Sequence, residues 1–219
     1  MNDQETDRDT LRPGGPNSSS RVISLNGGHT HALASVLSRA LFNDPCFTYM
    51  VPDDNERRSV LPAFLNSVIG AGHSHGECYT TPAFEGGAVG IRSDYAAMFQ
   101  RSVWTRLSAT NFTLSRSSLR RSIRLSTRLE QVRQELVRIP HWHLIALGLD
   151  PQNERFLSGS GLLQPVLSRA DSDGFCCYLE TFQERSLSFY KEQGFRIEGC
   201  GRISESGPRF WAMIRAPHR

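Results

Sequence analysis

His143–Gly161, HLIALGLDPQNERFLSGSG, is the stretch on which the fold turns. With His141 and Trp142 before it, the run HWHLIALGL is apolar over most of its length. Such a run suits a strand covered on both faces. Asp150-Pro151 ends it, because proline lacks an N–H and disfavours continuation of a ladder. After a short loop, Gly159, Ser160 and Gly161 open a helix. Leu162, Leu163, Val166, Leu167 and Ala170 continue one face of it. A helix N-terminus of small residues offers backbone N–H groups and a positive dipole end to an anion. An ordinary strand-loop-helix turn has the same pattern, so this stretch by itself names no ligand.

Outward from there, the chain reads as alternating elements. Arg21–Leu25 is a first strand. Leu33, Val36, Leu37, Ala40 and Leu41 follow helical spacing and stop near Asn43-Asp44-Pro45. Asp53 or Asp54 caps a second helix carrying Leu61, Phe64, Leu65, Val68 and Ile69, with Pro62 near its start or at a kink. Residues 77–81 and 86–91 form a strand pair. Residues 95–138 are helical in pieces, broken near Ser108–Asn111, with Leu119, Ile123, Leu125, Leu129, Val132 and Leu136 on the later piece. Phe175–Thr181 is a strand, Glu184–Gln193 a short helix capped by Gly194, and Phe195–Gly199 and Arg209–Ile214 the closing strands. This alternation predicts an α/β domain over residues 21–217, a mixed sheet with helices on its faces. Residues 1–20 are polar and dense in Gly, Pro, Ser and Asp. They lack the apolar surface to offset ordering entropy and are expected to be a disordered tail.

Composition narrows the function. The 219 residues suffice for one domain with a substantial core. No apolar run approaches the roughly 20 residues of a membrane helix, and the acidic start MNDQETDRDT is unlike a secretory signal. Cys46, Cys78, Cys176, Cys177 and Cys200 are odd in number and scattered, which predicts reduced thiols in a cytoplasmic protein. The net charge of +3 is small. The nine arginines of residues 101–138 have no aromatic residue among them after Phe112. They read as a solvated helix face rather than a nucleic-acid platform.

Some residues are suited to chemistry. His141 and His143 lie two apart on a strand and share a face, and imidazole suits proton transfer at neutral pH. Glu180, on the neighbouring strand, competes with His143 for the role of base. The pairs His29/His31, His73/His75 and His141/His143 have zinc-compatible spacing on a strand, but no cysteine or carboxylate pattern accompanies them. No metal is expected.

Strand, loop and helix from His143 to Gly161 resemble the acetyl-CoA-binding segment of the GNAT superfamily of N-acetyltransferases. LETFQERSLSFYKEQGF and GPRFWAMIR, further on, resemble its puromycin-acetyltransferase type. The resemblance spans about residues 21–217 and is strongest from His141 on. It implies a centrally splayed sheet, with the helical stretch 95–138 inserted before the coenzyme-binding strand and walling an acceptor pocket. It implies acetyl transfer from acetyl-CoA to a primary amine of a small molecule, with no nucleic acid or membrane as partner. A homodimer is left open.

The family loop has the pattern Gln/Arg-x-x-Gly-x-Gly/Ala. Here it falls on Glu154–Gly159, with Leu157 in place of the first glycine and Glu154 at the leading position. This degenerate loop is expected to bind coenzyme more weakly than an intact one, because Leu157 carries a side chain where close backbone approach is wanted. The implied coenzyme contacts are Leu149 on the strand, Arg155 by a charge-assisted bond, and the backbone of Phe156, Ser158, Gly159, Ser160 and Gly161. Gln183 and Ser186 stand where the family more often has asparagine. Tyr190, before Gly194-Phe195, occupies the place of the family's general acid, a phenol that protonates the departing thiolate. His143 occupies the strand position of a frequent catalytic glutamate. The alternative is a protein of this fold that has lost acetyl-CoA binding and serves as a small-molecule binder or an enzyme of other chemistry.

Overall fold

The computed structural model describes residues 21–110, 113–152 and 159–218. The expected disordered tail and the loop residues Glu154–Ser158 lie outside them. In chain order the elements are β1 (Ile23–Ser24), α1 (Thr30–Leu41), α2 (Pro45–Met50), α3 (Asp54–His75), β2 (Gly76–Thr80) and β3 (Gly86–Arg92). They continue with α4 (Ala96–Ser108), α5 (Arg116–Leu136), β4 (His141–Leu149), α6 (Gly159–Asp173), β5 (Cys176–Thr181), α7 (Leu187–Glu192), β6 (Arg196–Arg202) and β7 (Arg209–Arg215).

The strands make one mixed sheet in the order β1-β2-β3-β4-β5-β7-β6. Every neighbouring pair is antiparallel except β4 and β5. β3 follows β4 along its length, from Arg92 opposite Trp142 to Gly86 opposite Leu149. β5 pairs with β4 only at His141–Cys176, Trp142–Cys177 and His143–Tyr178. Beyond His143 the strands separate, as the splayed sheet requires. Among the described residues the β4 edge facing β5 then has no strand to satisfy its backbone groups, which need another partner or water.

Helices cover both faces of the sheet. On one face α6 buries Leu162, Leu163, Val166, Leu167 and Ala170 against Trp142, Leu144, Cys177 and Leu179, and α7 adds Leu187, Phe189 and Tyr190. On the other face, α1 and α3 bury Leu33, Leu37, Leu61, Leu65 and Ile69 over Cys78 and Val89. There α4 packs Phe99, Val103 and Leu107 beside α3, and α5 places Leu125 and Val132 on Tyr178, Phe210 and Ala212.

Local chemistry fixes the helix ends around the split. Asp53 caps α3 by accepting from Glu56 N at 2.7 Å. Asp44 caps α2, accepting from Cys46 N at 2.8 Å, with Pro45 at the first helical position. The buried guanidinium of Arg57 donates to the carbonyls of Phe42 (2.9 Å) and Val51 (2.6 Å) and to Asp54 (2.6 Å), fastening the ends of α1 and α2 to the start of α3. Gly194, at φ +87°, ends α7, where only glycine adopts that conformation cheaply. Two details differ from the pattern in the sequence. Pro62 lies well inside α3, and Leu119 and Ile123 of α5 are exposed, at 40% and 52%. On α5 Leu125 and Val132, seven residues apart on another face, carry the packing.

Arg215 of β7 is buried and makes two bonds to Asp171 of α6, at 2.7 and 2.9 Å. Asp171→Asn removes the charge partner of a buried cation. It is expected to destabilise the protein by about 2–4 kcal/mol in chemical denaturation, somewhat less than a fully buried pair because Asp171 is partly exposed. The bonds from Arg215 hold the Asp171 carboxyl below its ordinary value. Its contribution is therefore complete above the usual carboxylate pKa of about 3.9 and lost as pH falls through the lower folded value. The gap between wild type and variant should close in acid.

Candidate active site

Where β4 and β5 part, the sheet opens into a cavity of about 580 Å³. Leu144–Leu147 of β4 and Leu179–Thr181 of β5 form its frame. It reaches both faces of the sheet. Tyr190 and Ser186 line it from the α7 side, and residues of α2, α3, α4 and α5 line it from the other.

On the α5 side, His143 and Glu180 meet. His143 Nε2 lies 2.8 Å from Glu180 Oε2, and Tyr178 donates its hydroxyl to Glu180 Oε1 at 2.9 Å. The two candidates for the base are thus one unit, brought together because His143 is in register with Tyr178 at the last pair before the strands separate. Glu180 lines the cavity and His143 stands behind it. The Tyr178 ring lies between the two histidines, 6.0 Å from His141 and 5.1 Å from His143, edge-on to both. Burial, then the neighbouring Glu180, push the Tyr178 phenol up, so it stays a donor.

His141 has a different role from His143. Its Nδ1 is 2.8 Å from the Ile139 carbonyl, which only accepts, so Nδ1 carries the hydrogen. Its Nε2 then accepts from Arg133 at 3.2 Å. Burial keeps its pKa below the ordinary imidazole value, and Arg133 acts in the same direction. Arg133 also clasps Glu130, at 2.5 and 3.1 Å, and Gln134 adds a bond at 2.6 Å. Against burial, these bonds hold the Glu130 carboxyl down.

On the other side of the split, the Tyr190 ring packs edge-on against Phe189 and Phe195, with centroids 5.1 and 5.9 Å away. Burial pushes its phenol well up, and the charge of Asp44 adds to this. Gln183 donates to Asp44 Oδ2 at 2.5 Å and accepts from Arg185 at 2.7 Å. It therefore ties the β5–α7 connection to the cap of α2. Burial raises the Asp44 pKa against the bonds from Gln183 and Cys46. Ser186 lines the cavity one turn before Tyr190.

Of the expected coenzyme contacts, Leu149 ends β4 opposite Gly86, and Gly159, Ser160 and Gly161 form the first turn of α6. A Cβ on Gly159 would lie 3.2 Å from the Phe189 ring, so the glycine lets α6 begin directly against α7. Arg155, Phe156 and Ser158 lie outside the described residues. No helix among the described residues is long and apolar enough to cross a membrane. Asp44 and Tyr178 are site residues that reasoning on the sequence missed. Asp44 reads there as a helix stop, although Asp-Pro is also the signature of a cap and first position.

No family model matches this chain. Among solved structures, it is similar to a Corynebacterium glutamicum protein named histone acetyltransferase HPA2 and related acetyltransferase, with 21% identity and a TM-score of 0.63 over 92% of this chain and 98% of that one. It is similar to a polyamine N-acetyltransferase of Drosophila melanogaster, with 15% identity and a TM-score of 0.60 over 90% and 99% of the two chains. It is also similar to arylalkylamine N-acetyltransferase 2 of Aedes aegypti, with 10% identity and a TM-score of 0.55 over 90% and 99%. The mixed sheet, parted between β4 and β5 and flanked by helices, is the fold of these acetyltransferases.

Proposed function

We propose that this protein transfers an acetyl group from acetyl-CoA to a primary amine of a small molecule, with Tyr190 as general acid. One observation carries the reading. A single cavity runs through the split in the sheet, with a phenol on one side and a hydrogen-bonded carboxylate–imidazole pair on the other.

Acetyl-CoA fits what surrounds the split. Its pantetheine arm contains two amides, and the β4 edge beyond His143 has backbone groups without a strand partner. The opening turn of α6, with no acidic residue in it, suits the pyrophosphate. In this reading Leu149, Arg155, Phe156, Ser158, Gly159, Ser160 and Gly161 hold the coenzyme, and Gln183 and Ser186 fix the turn beside it. Acetyl-CoA supplies an activated acyl group on a good leaving thiol. Tyr190 keeps its proton until negative charge develops on sulfur, then donates to it. Glu180 attracts the ammonium and accepts its proton. His143 and Tyr178 orient Glu180 by donating to its two oxygens. The helical stretch 95–138 walls the acceptor side through α4 and α5.

Calorimetry with acetyl-CoA tests this directly. Binding is expected in the wild type and is expected to tighten in Leu157→Gly, which lets the backbone approach a phosphate. Absence of binding at millimolar acetyl-CoA in both proteins would sink the reading.

A further inference from the structure

The cavity is divided in its chemistry. Its carboxylates are Asp44, Glu130 and Glu180. Arg133 already neutralises Glu130. Asp44 and Glu180 form no ion pair with an arginine or lysine among the described residues. Their hydrogen bonds come from Cys46 N and Gln183, and from Tyr178 and His143. The one cation lining the cavity, Arg57, is committed to Asp54 and to backbone carbonyls. Negative charge without an ion-paired countercharge therefore gathers at the split, Arg185 acting on Asp44 only across Gln183.

The opposite wall is largely apolar, with Gln100 as the polar residue that α4 adds to it. α3 contributes Phe64 and Val68, and α4 contributes Phe99, Val103 and Leu107, packed as one cluster. Trp104 extends this wall toward solvent at 55% exposure. None of these side chains carries a charge, and Phe64, Phe99 and Trp104 offer an ammonium only their ring faces. An ammonium carried there would lose hydration without gaining a counter-ion. An aromatic or aliphatic body would instead bury apolar surface, which is favourable.

From this division we infer that the acceptor is a monoamine with a bulky apolar body, of the arylalkylamine kind, and not a diamine or polyamine. The inference rests on the acetyltransferase reading for its chemistry and on the cavity for its selectivity. The ammonium seats between Asp44 and Glu180, and the apolar body lies against α3 and α4. Burial of Asp44 adds to the preference, because a bound ammonium restores the counter-charge that the carboxylate lost with its water.

Two measurements separate the inference from the reading beneath it. The first is calorimetric binding of 2-phenylethylamine, 4-phenylbutylamine, putrescine and spermidine to the full chain without acetyl-CoA. The second is acetyl transfer to the same four amines. The phenylalkylamines are expected to bind at least tenfold more tightly than putrescine or spermidine, and to show at least a tenfold higher kcat/KM. Trp104→Glu places a carboxylate on the apolar wall at a half-exposed position that tolerates charge. It is expected to shift the ratio of affinities toward putrescine by tenfold or more. Tight binding of phenylalkylamines without transfer would leave the inference standing and overturn the acetyltransferase reading. Transfer that favours polyamines, absence of binding by all four amines, or a ratio unmoved in Trp104→Glu would overturn the inference.

Discussion

Tyr190→Phe is expected to lower kcat by about 10²–10⁴-fold, the range for losing a general acid. The thermal midpoint and acetyl-CoA affinity should hardly change. The hydroxyl makes no hydrogen bond to another described residue, so its removal breaks none among them. The ring contacts with Phe189 and Phe195 persist. Burial raises the phenol above its ordinary value of 10.0. A raised pKa keeps the acid protonated as pH increases, so Tyr190 should cause no alkaline fall in kcat up to about pH 10. Unchanged turnover in Tyr190→Phe would remove Tyr190 from the chemistry. Unfolding of the variant would assign the residue to core packing.

The second large effect is expected in Glu180→Gln, a loss of about 10²–10³-fold in kcat/KM measured with a phenylalkylamine. Glutamine keeps the shape but loses the charge that attracts the ammonium. Its amide also cannot accept from both Tyr178 and His143 as the carboxylate does. His143→Ala should cost less, because the imidazole acts through Glu180. The pair shares one hydrogen bond, so the losses should not add. The double variant should be no slower than Glu180→Gln alone. Losses that multiply would show two independent groups. If His143→Ala alone matched the double variant, the base would be the imidazole.

The strand on which the sheet parts was readable to the residue: HWHLIALGL is β4 from His141 to Leu149. The reason is physical. A fully covered strand needs an unbroken apolar run, and Asp150-Pro151 gives it a hard end. Gly194 was equally legible, since its positive φ demands that residue. α2 was not. Six residues carry too little periodicity, and Arg57 holds its end from outside through the Val51 carbonyl. The union of His143 with Glu180 was also hidden. Their strands are linked through α6, and the alignment of one strand on the other depends on how α6 packs. The exposure of Ile123 was hidden too, because helical spacing marks a stripe without telling which partner covers it.

The order of the last strands bears on how the protein assembles. β7 follows β6 in the chain but lies between β6 and β5. β6 pairs only with β7, and β5 otherwise has three pairs with β4. During synthesis the strands β1–β4 can pair in chain order as they emerge, since each joins its predecessor across the helices between them. The half that positions Glu180 and frames Tyr190 has to wait for β7. A nascent chain arrested before Arg209 would therefore expose the edges of β5 and β6, the kind of unpaired strand that recruits other chains. Formation of β7 completes the half that carries Glu180 and Tyr190 and removes that hazard in one step.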